Sequence, residues 1–166
     1  MSVARSATRW QLAFAIALLL VLQFYVRPRL FDGRYAPDFA LIGLVLLAIR
    51  FGAGAGAAIG FLVGLAGDAM TPARFGASAL AHTVVGYLAA WSRAFFFADN
   101  LAVIAGFLAV AAWIRDLVVL LASGASDGGL IPALFLDAPL RAFATAIAGS
   151  LLLLLFRSWF GIRLDQ

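Results

Sequence analysis

Four glycines, Gly52, Gly56, Gly60 and Gly64, recur at every fourth position and run onto Asp68. Residues at that spacing share one face of an α-helix. The stretch FGAGAGAAIGFLVGLAGDAM therefore presents a bare stripe edged by Leu, Phe, Ile and Val. Such a face is poor material for a soluble core. In lipid it is useful, because small residues let a neighbouring backbone come close. A carboxylate that closes the stripe requires a partner. The pattern constrains this segment to a helix packed tightly inside a membrane.

Composition agrees. The 166 residues are 65% hydrophobic and 12% charged, against about 25% charged in an ordinary soluble domain. Too little polar surface remains to dissolve a globule, so a single polytopic membrane domain is expected over residues 1–166. All 12 positive residues are Arg and all 8 negative ones are Asp. The arginines are scattered, with no basic run suited to nucleic acid. No cysteine is present, which removes disulfides, thiol catalysis and Cys-ligated metals. The basic start MSVARSATRW resembles a signal peptide. Its A-x-A candidate, Ala13-Phe14-Ala15, lies inside the apolar stretch, so an uncleaved first membrane helix is expected.

The expected fold is all-α: a compact bundle of six membrane helices, with five as the alternative. The first runs from Trp10 to Val26 and is stopped by Arg27-Pro28-Arg29, because Pro28 cannot continue the ladder. Asp32-Gly33-Arg34 is a turn signal. The second opens at Pro37-Asp38, a helix-start pair, and ends by Arg50. The third carries the glycines to Asp68. The loop MTPARFG precedes a fourth helix from Ser78 to Trp91. A cap at Asp99-Asn100 starts the fifth, which ends near Ala122. The loop SGASDGGLIPALFLD leads to the sixth, Ala138 to Phe156. Only eleven residues separate Asp38 from Arg50, about 17 Å of helix. Either Arg50 snorkels, or the second and third segments form a compact hairpin shielded by neighbours.

Orientation is weakly encoded. With both termini in the cytoplasm, the inner side carries Arg5, Arg9, Arg50, Arg93, Arg157 and Arg163. The outer side then carries Arg27, Arg29, Arg34, Arg74 and Arg141. The excess inside is in the direction of the positive-inside rule. Residues 123–137 contain two Asp and no Arg, which suits the outside. Trp10, Trp91 and Trp159 fall at expected helix ends, as interfacial anchors do.

Three constellations could carry chemistry. Asp68, at a helix C-terminus, opposes the macrodipole. It either caps and pins the following loop, the favoured reading, or binds a polar ligand or partner; Thr71 and Arg74 are near in sequence. Arg115-Asp116 lies within the fifth helix. Neighbours on a helix point about 100° apart, so each residue needs a partner on another helix, in a polar network, or the pair snorkels to the surface. His82 is the lone histidine. With Asp68 it could form a proton relay or a metal site; a metal site needs three or four ligands, so packing is the expected role of His82, and no metal, cofactor or catalytic residue is assigned. Hydrolase and phosphate-loop patterns are absent.

An ordered series then marks a family. Pro37-Asp38 opens the second helix, and Gly60, Gly64 and Asp68 follow. Next come Gly76, Ala79 and Leu80, then Thr83, Gly86 and Tyr87. In order and spacing this series, from Pro37 to Trp91, resembles the rod shape-determining membrane protein MreD family. The resemblance implies a non-enzymatic protein of the bacterial inner membrane, part of the cell-elongation machinery that builds lateral peptidoglycan. It implies binding to the membrane-anchored periplasmic protein MreC, beside a glycosyltransferase and a transpeptidase and, indirectly, the MreB filament. It also implies a six-helix fold similar to the substrate-binding subunits of energy-coupling-factor transporters, and the motif residues as helix-packing or partner-binding positions. The alternative function is a vitamin-type substrate-binding subunit of such a transporter. In that case Ala13 and Ala17, four apart on the first helix, would dock on a coupling protein.

Overall fold

The computed structural model describes residues 9–30, 35–71, 75–92, 101–122, 124 and 130–160, the side chains of 9–13, 50, 130 and 156–160 excepted. Among the described residues all regular structure is helical, in six helices. These are α1 (Arg9–Val21), α2 (Phe39–Phe51), α3 (Ala53–Ala69), α4 (Ala77–Ser92), α5 (Leu101–Ala122) and α6 (Ala138–Phe160). Two stretches, Leu101–Ala122 and Ala133–Leu155, are long and apolar enough to cross a membrane by length and composition. The turn at Asp32-Gly33-Arg34, the cap at Asp99-Asn100 and Arg74 lie outside the described residues.

Three boundaries depart from the sequence expectation. Helix α1 does not stop at Val26. It loosens into a π-helical stretch, Leu22–Val26, and closes with a 3-10 turn, Arg27–Arg29, in which Leu30 N donates to Arg27 O at 3.1 Å. Pro28 sits early in that turn, where a missing N–H is tolerated, and Leu30 leaves in extended conformation. The expected loop before α6 is partly helical: a short turn, Leu130–Pro132, and a π-helical stretch, Ala133–Asp137, feed directly into α6. Trp113 Nε1 donates to Leu134 O at 3.3 Å and ties this stretch to α5. Gly52 is not on a helix. It separates α2 from α3 with φ of 88°, a left-handed value that a residue with a Cβ resists. The glycine stripe on α3 thus starts at Gly56.

Helix α2 is the axle of the bundle. Asp38 caps it, its Oδ1 accepting from Leu41 N at 3.0 Å, as a first-turn donor requires. Leu41, Ile42, Leu44, Val45 and Ala48 are fully buried against α4, α5 and α6, with Leu108 of α5 and Leu153 of α6 completing the core. The surroundings of this 13-residue helix are therefore protein, the condition under which a segment too short to span a bilayer is tolerated. Outer faces carry large exposed apolar side chains such as Val110, Phe143 and Leu155. The last turns of α1, α3 and α5 and the first turns of α2, α4 and α6 gather at one end, around Asp38, Asp68, Ser78 and Arg115. All the buried charge described below lies there.

Candidate functional site

The first feature is the α3–α4 seam. Gly56, Gly60, Gly64 and Asp68 are the buried residues of α3. A Cβ on Gly60 would meet the carbonyl oxygen of His82 and, at 2.6 Å, its carbonyl carbon, with Thr83 Cα at 3.1 Å. One on Gly64 would meet the Ser78 carbonyl oxygen, with Ala79 Cα at 2.5 Å. One on Gly56 would meet the Gly86 carbonyl oxygen, and one on Gly86 that of Gly56. Each step of four along α3 therefore answers a step of four back along α4, backbone against backbone. Glycine Cα–H groups turn toward facing carbonyls, contacts worth roughly 0.5–1 kcal/mol each.

Asp68 locks the end of this seam. Its Oδ2 accepts from Gly76 N at 3.0 Å and Ala79 N at 2.8 Å, and its Oδ1 accepts from Ser78 N at 3.0 Å. Three orphan donors at the start of α4 are satisfied by one carboxylate from the preceding helix. The charge that opposes the dipole of α3 completes that of α4. Gly76, with φ of 95°, makes the bend that aims these N–H groups at Asp68. Capping, the favoured reading, is what the geometry holds. Thr71 bonds Gly67 O instead.

The second feature is an ion cluster that joins three helices. Arg115 of α5 pairs with Asp38 Oδ2 at the head of α2 and, at 2.7 Å, with Asp116 Oδ1. Asp116 Oδ2 also faces Arg141 Nε of α6 at 3.1 Å. Asp38 N donates to Thr145 Oγ1 at 3.1 Å, and Thr145 Oγ1 donates to Arg141 O at 2.8 Å. Of the two readings open from sequence, partners on other helices or snorkelling to the surface, Arg115 and Asp116 show the first. They also touch one another, because the long Arg stem curls back across the 100° between them. A charge in this setting is costly unless paired, and here each is paired.

The remaining expected residues divide. Pro37 is buried beside Asp38. Thr83 returns its hydroxyl to Ala79 O at 2.7 Å. Leu80 and Tyr87, 53% and 50% exposed, point away from the seam with Val84 and Trp91. His82 is buried, its Nδ1 2.9 Å from Ser78 O. Among the described residues no three His, Cys, Asp or Glu side chains converge as metal ligands. From sequence Arg141 is only one of the outer-side charges and Thr145 carries no expectation, though Arg141, Thr145 and Gly149 recur at the same spacing of four as the glycines of α3. Between α1, α3, α4 and α5, at the charged end, lies a cavity of about 420 Å³.

Backbone-packed helices, buried charges paired between helices and apolar outer faces define a small all-helical membrane protein. Within that class the family is clear. The model of the family described as rod shape-determining protein MreD matches residues 4–160, and the chain belongs to that family. No curated protein and no solved structure matches it. The family is one of membrane proteins that act in shape determination and is not known for catalysis. The vitamin-transporter alternative has no support among these comparisons; Ala17 is exposed, and the side chain of Ala13 lies outside the description.

Proposed function

We propose that the protein is a non-enzymatic scaffold of the cell-elongation complex in the bacterial inner membrane, and that it holds MreC beside the glycosyltransferase and transpeptidase of lateral wall synthesis. The MreB filament is reached through these partners. Both termini face the cytoplasm, so the charged end of the bundle faces the periplasm. The family match over residues 4–160 carries this reading. The site chemistry supports it: the Asp68 carboxylate is taken up by three backbone donors, and Asp38, Arg115, Asp116 and Arg141 bind one another. These groups hold helices in place.

Two motif residues are unused by the bundle. Leu80 and Tyr87 stand on one outward stripe of α4, and we assign them to contact with the membrane helix of MreC. Tagged protein should co-purify MreC in mild detergent, and depletion should round the cells. Leu80→Ala with Tyr87→Ala should weaken recovery of MreC about tenfold while the protein accumulates normally, the loss of about 1.4 kcal/mol of contact. No association in detergent together with normal shape after depletion would sink the scaffold reading. Full recovery of MreC by the double variant would remove the assigned contact.

A further inference from the structure

The cavity at the charged end has a composition that the scaffold reading does not use. Its apolar side is formed by Leu20 and Phe24 of α1 and its π-helical extension and by Leu62 of α3. These three side chains are substantially exposed, so the cavity opens sideways, between α1 and α3, into the lipid layer. Its polar side is formed by Arg27, Asp38, Asp68, His82 and Arg115. A volume of about 420 Å³ is in the range of small-molecule pockets. The wall from α1 is π-helical at Leu22–Val26, an irregularity common at functional sites.

Counting hydrogen bonds shows what the polar side still lacks. Asp68 already accepts three backbone donors, and Asp38 accepts Leu41 N and the Arg115 guanidinium. Neither carboxylate asks for more. The nitrogens left over are Arg27 Nε, Arg115 Nε and His82 Nε2, all buried and without a hydrogen-bond partner. The two arginine nitrogens are donors. His82 Nδ1 lies 2.9 Å from Ser78 O; a carbonyl can only accept, so Nδ1 carries the proton. In the neutral ring Nε2 is then a bare acceptor. His82 is 5% exposed, and a buried polar atom left unmatched is costly. The missing ligand thus offers anionic oxygen to two guanidinium groups and a hydroxyl to an imidazole, with an apolar tail leaving between α1 and α3.

We propose that this cavity binds a membrane lipid whose head group is a hydroxylated phosphate ester. The phosphate oxygens meet Arg27 and Arg115, a pairing that planar guanidinium groups favour. A head-group hydroxyl donates to His82 Nε2, and the chains lie along Leu20, Phe24 and Leu62. The proposal is independent of the partner assigned above, because it concerns the isolated protein.

The test uses the full-length protein, stripped of lipid in a neutral maltoside detergent, and follows its thermal unfolding with three probes. Dioctanoyl phosphatidylglycerol, at a concentration about 100-fold above its dissociation constant, should raise the midpoint by about 5–10 °C. Dioctanoyl phosphatidylcholine, zwitterionic and without a hydroxyl, should give less than about half of that shift, and glycerol 3-phosphate, the free head group, under about 1 °C. Arg27→Gln and His82→Leu should each remove at least about half of the phosphatidylglycerol shift. Arg27 as a residue is only partly buried, at a helix end, although its Nε is covered, so Arg27→Gln decides the matter if His82→Leu does not accumulate. Equal shifts with the two lipids, no shift, or a shift unchanged in Arg27→Gln would each overturn the proposal. A shift with glycerol 3-phosphate as large as with the lipid would overturn the lipid and leave a soluble phosphate ester as the ligand.

Discussion

Helices α3 and α4 meet through bare backbone, whereas α2, α5 and α6 meet through side chains. In the first region Gly56, Gly60, Gly64 and Gly86 bring carbonyls against Cα atoms, and one carboxylate finishes the seam. In the second, Leu41, Ile42 and Leu108 fill the space, and an ion cluster from Asp38 to Arg141 sets the register. Lipid is as apolar as leucine, so burying leucine against leucine adds little drive for association there. The seam therefore gains from close approach, and the side-chain region gains from charges that must not be left alone in lipid. The first kind of contact has no slack, because backbone cannot repack. The second tolerates change in shape but not in charge.

The largest effect should come from filling the seam. Gly60→Leu or Gly64→Leu puts a side chain where main-chain atoms of α4 already stand. The cost should exceed the roughly 3 kcal/mol reached by ordinary core overpacking. Neither variant should accumulate in the membrane or support rod shape. A functional Gly64→Leu would show that α3 and α4 can separate, and the contrast between the two regions would collapse.

Next comes the ion cluster. Arg115→Met leaves Asp38 and Asp116 without their shared partner and should cost about 3 kcal/mol, near the lower end for broken buried pairs. Asp38→Asn added to Arg115→Met removes one orphan charge while an amide oxygen still caps α2, and Asp116 keeps Arg141. The double variant should recover part of the loss, an interaction of about 1 kcal/mol or more in a double-mutant cycle. Melting in detergent measures it. Strict additivity would mean that Asp38 and Arg115 are not coupled.

Asp68→Asn should be milder than the glycine variants, at roughly 2 kcal/mol. The amide keeps one acceptor oxygen but points its own N–H groups at the donors of Gly76, Ser78 or Ala79. Membrane level and cell shape compared with Gly64→Leu check the order. A stronger defect in Asp68→Asn would move the weight of the seam from its close contact to its cap.

The difference between the regions also decides what could be read from sequence. Repetition at four residues in α3 is a strong pattern, and it located the buried face of that helix. The Pro37-Asp38 start and the ends of α2 to α5 were legible for the same reason, since caps and glycines act locally. The partners of Asp68 were not legible, because backbone N–H groups leave no mark in a sequence. Nor was the union of Asp38 with Arg115, 77 positions away, since nothing local says which charge a distant one will meet. Residues 130–137 looked like a loop because the segment SGASDGGLIPALFLD is rich in small and acidic residues, yet proline fits the first turn of a helix, and Pro132 sits in one. Gly52 shared the spacing of the stripe while serving as a turn. Spacing alone cannot separate a packing glycine from a hinge glycine.

The smallest effects test whether glycine as such matters, or only its place. Gly106 in α5 has nothing within 4 Å of where a Cβ would sit. Alanine there should stabilise the helix by about 0.5–1 kcal/mol, the usual gain over glycine in a helix interior. At Gly149 in α6 a Cβ would meet the tip of Leu108 and, at 3.4 Å, Ile42. Both neighbours are side chains, and Leu108 can turn to another rotamer, so Gly149→Ala should cost less than about 1.5 kcal/mol, as tolerable core repacking does. Gly56→Ala carries the same added methyl into the carbonyl of Gly86 and should melt well below both. Equal midpoints for Gly56→Ala and Gly149→Ala would mean that the α3–α4 backbones yield as readily as a leucine side chain. The close approach of these two helices would then be a consequence of their sequence and no longer its purpose.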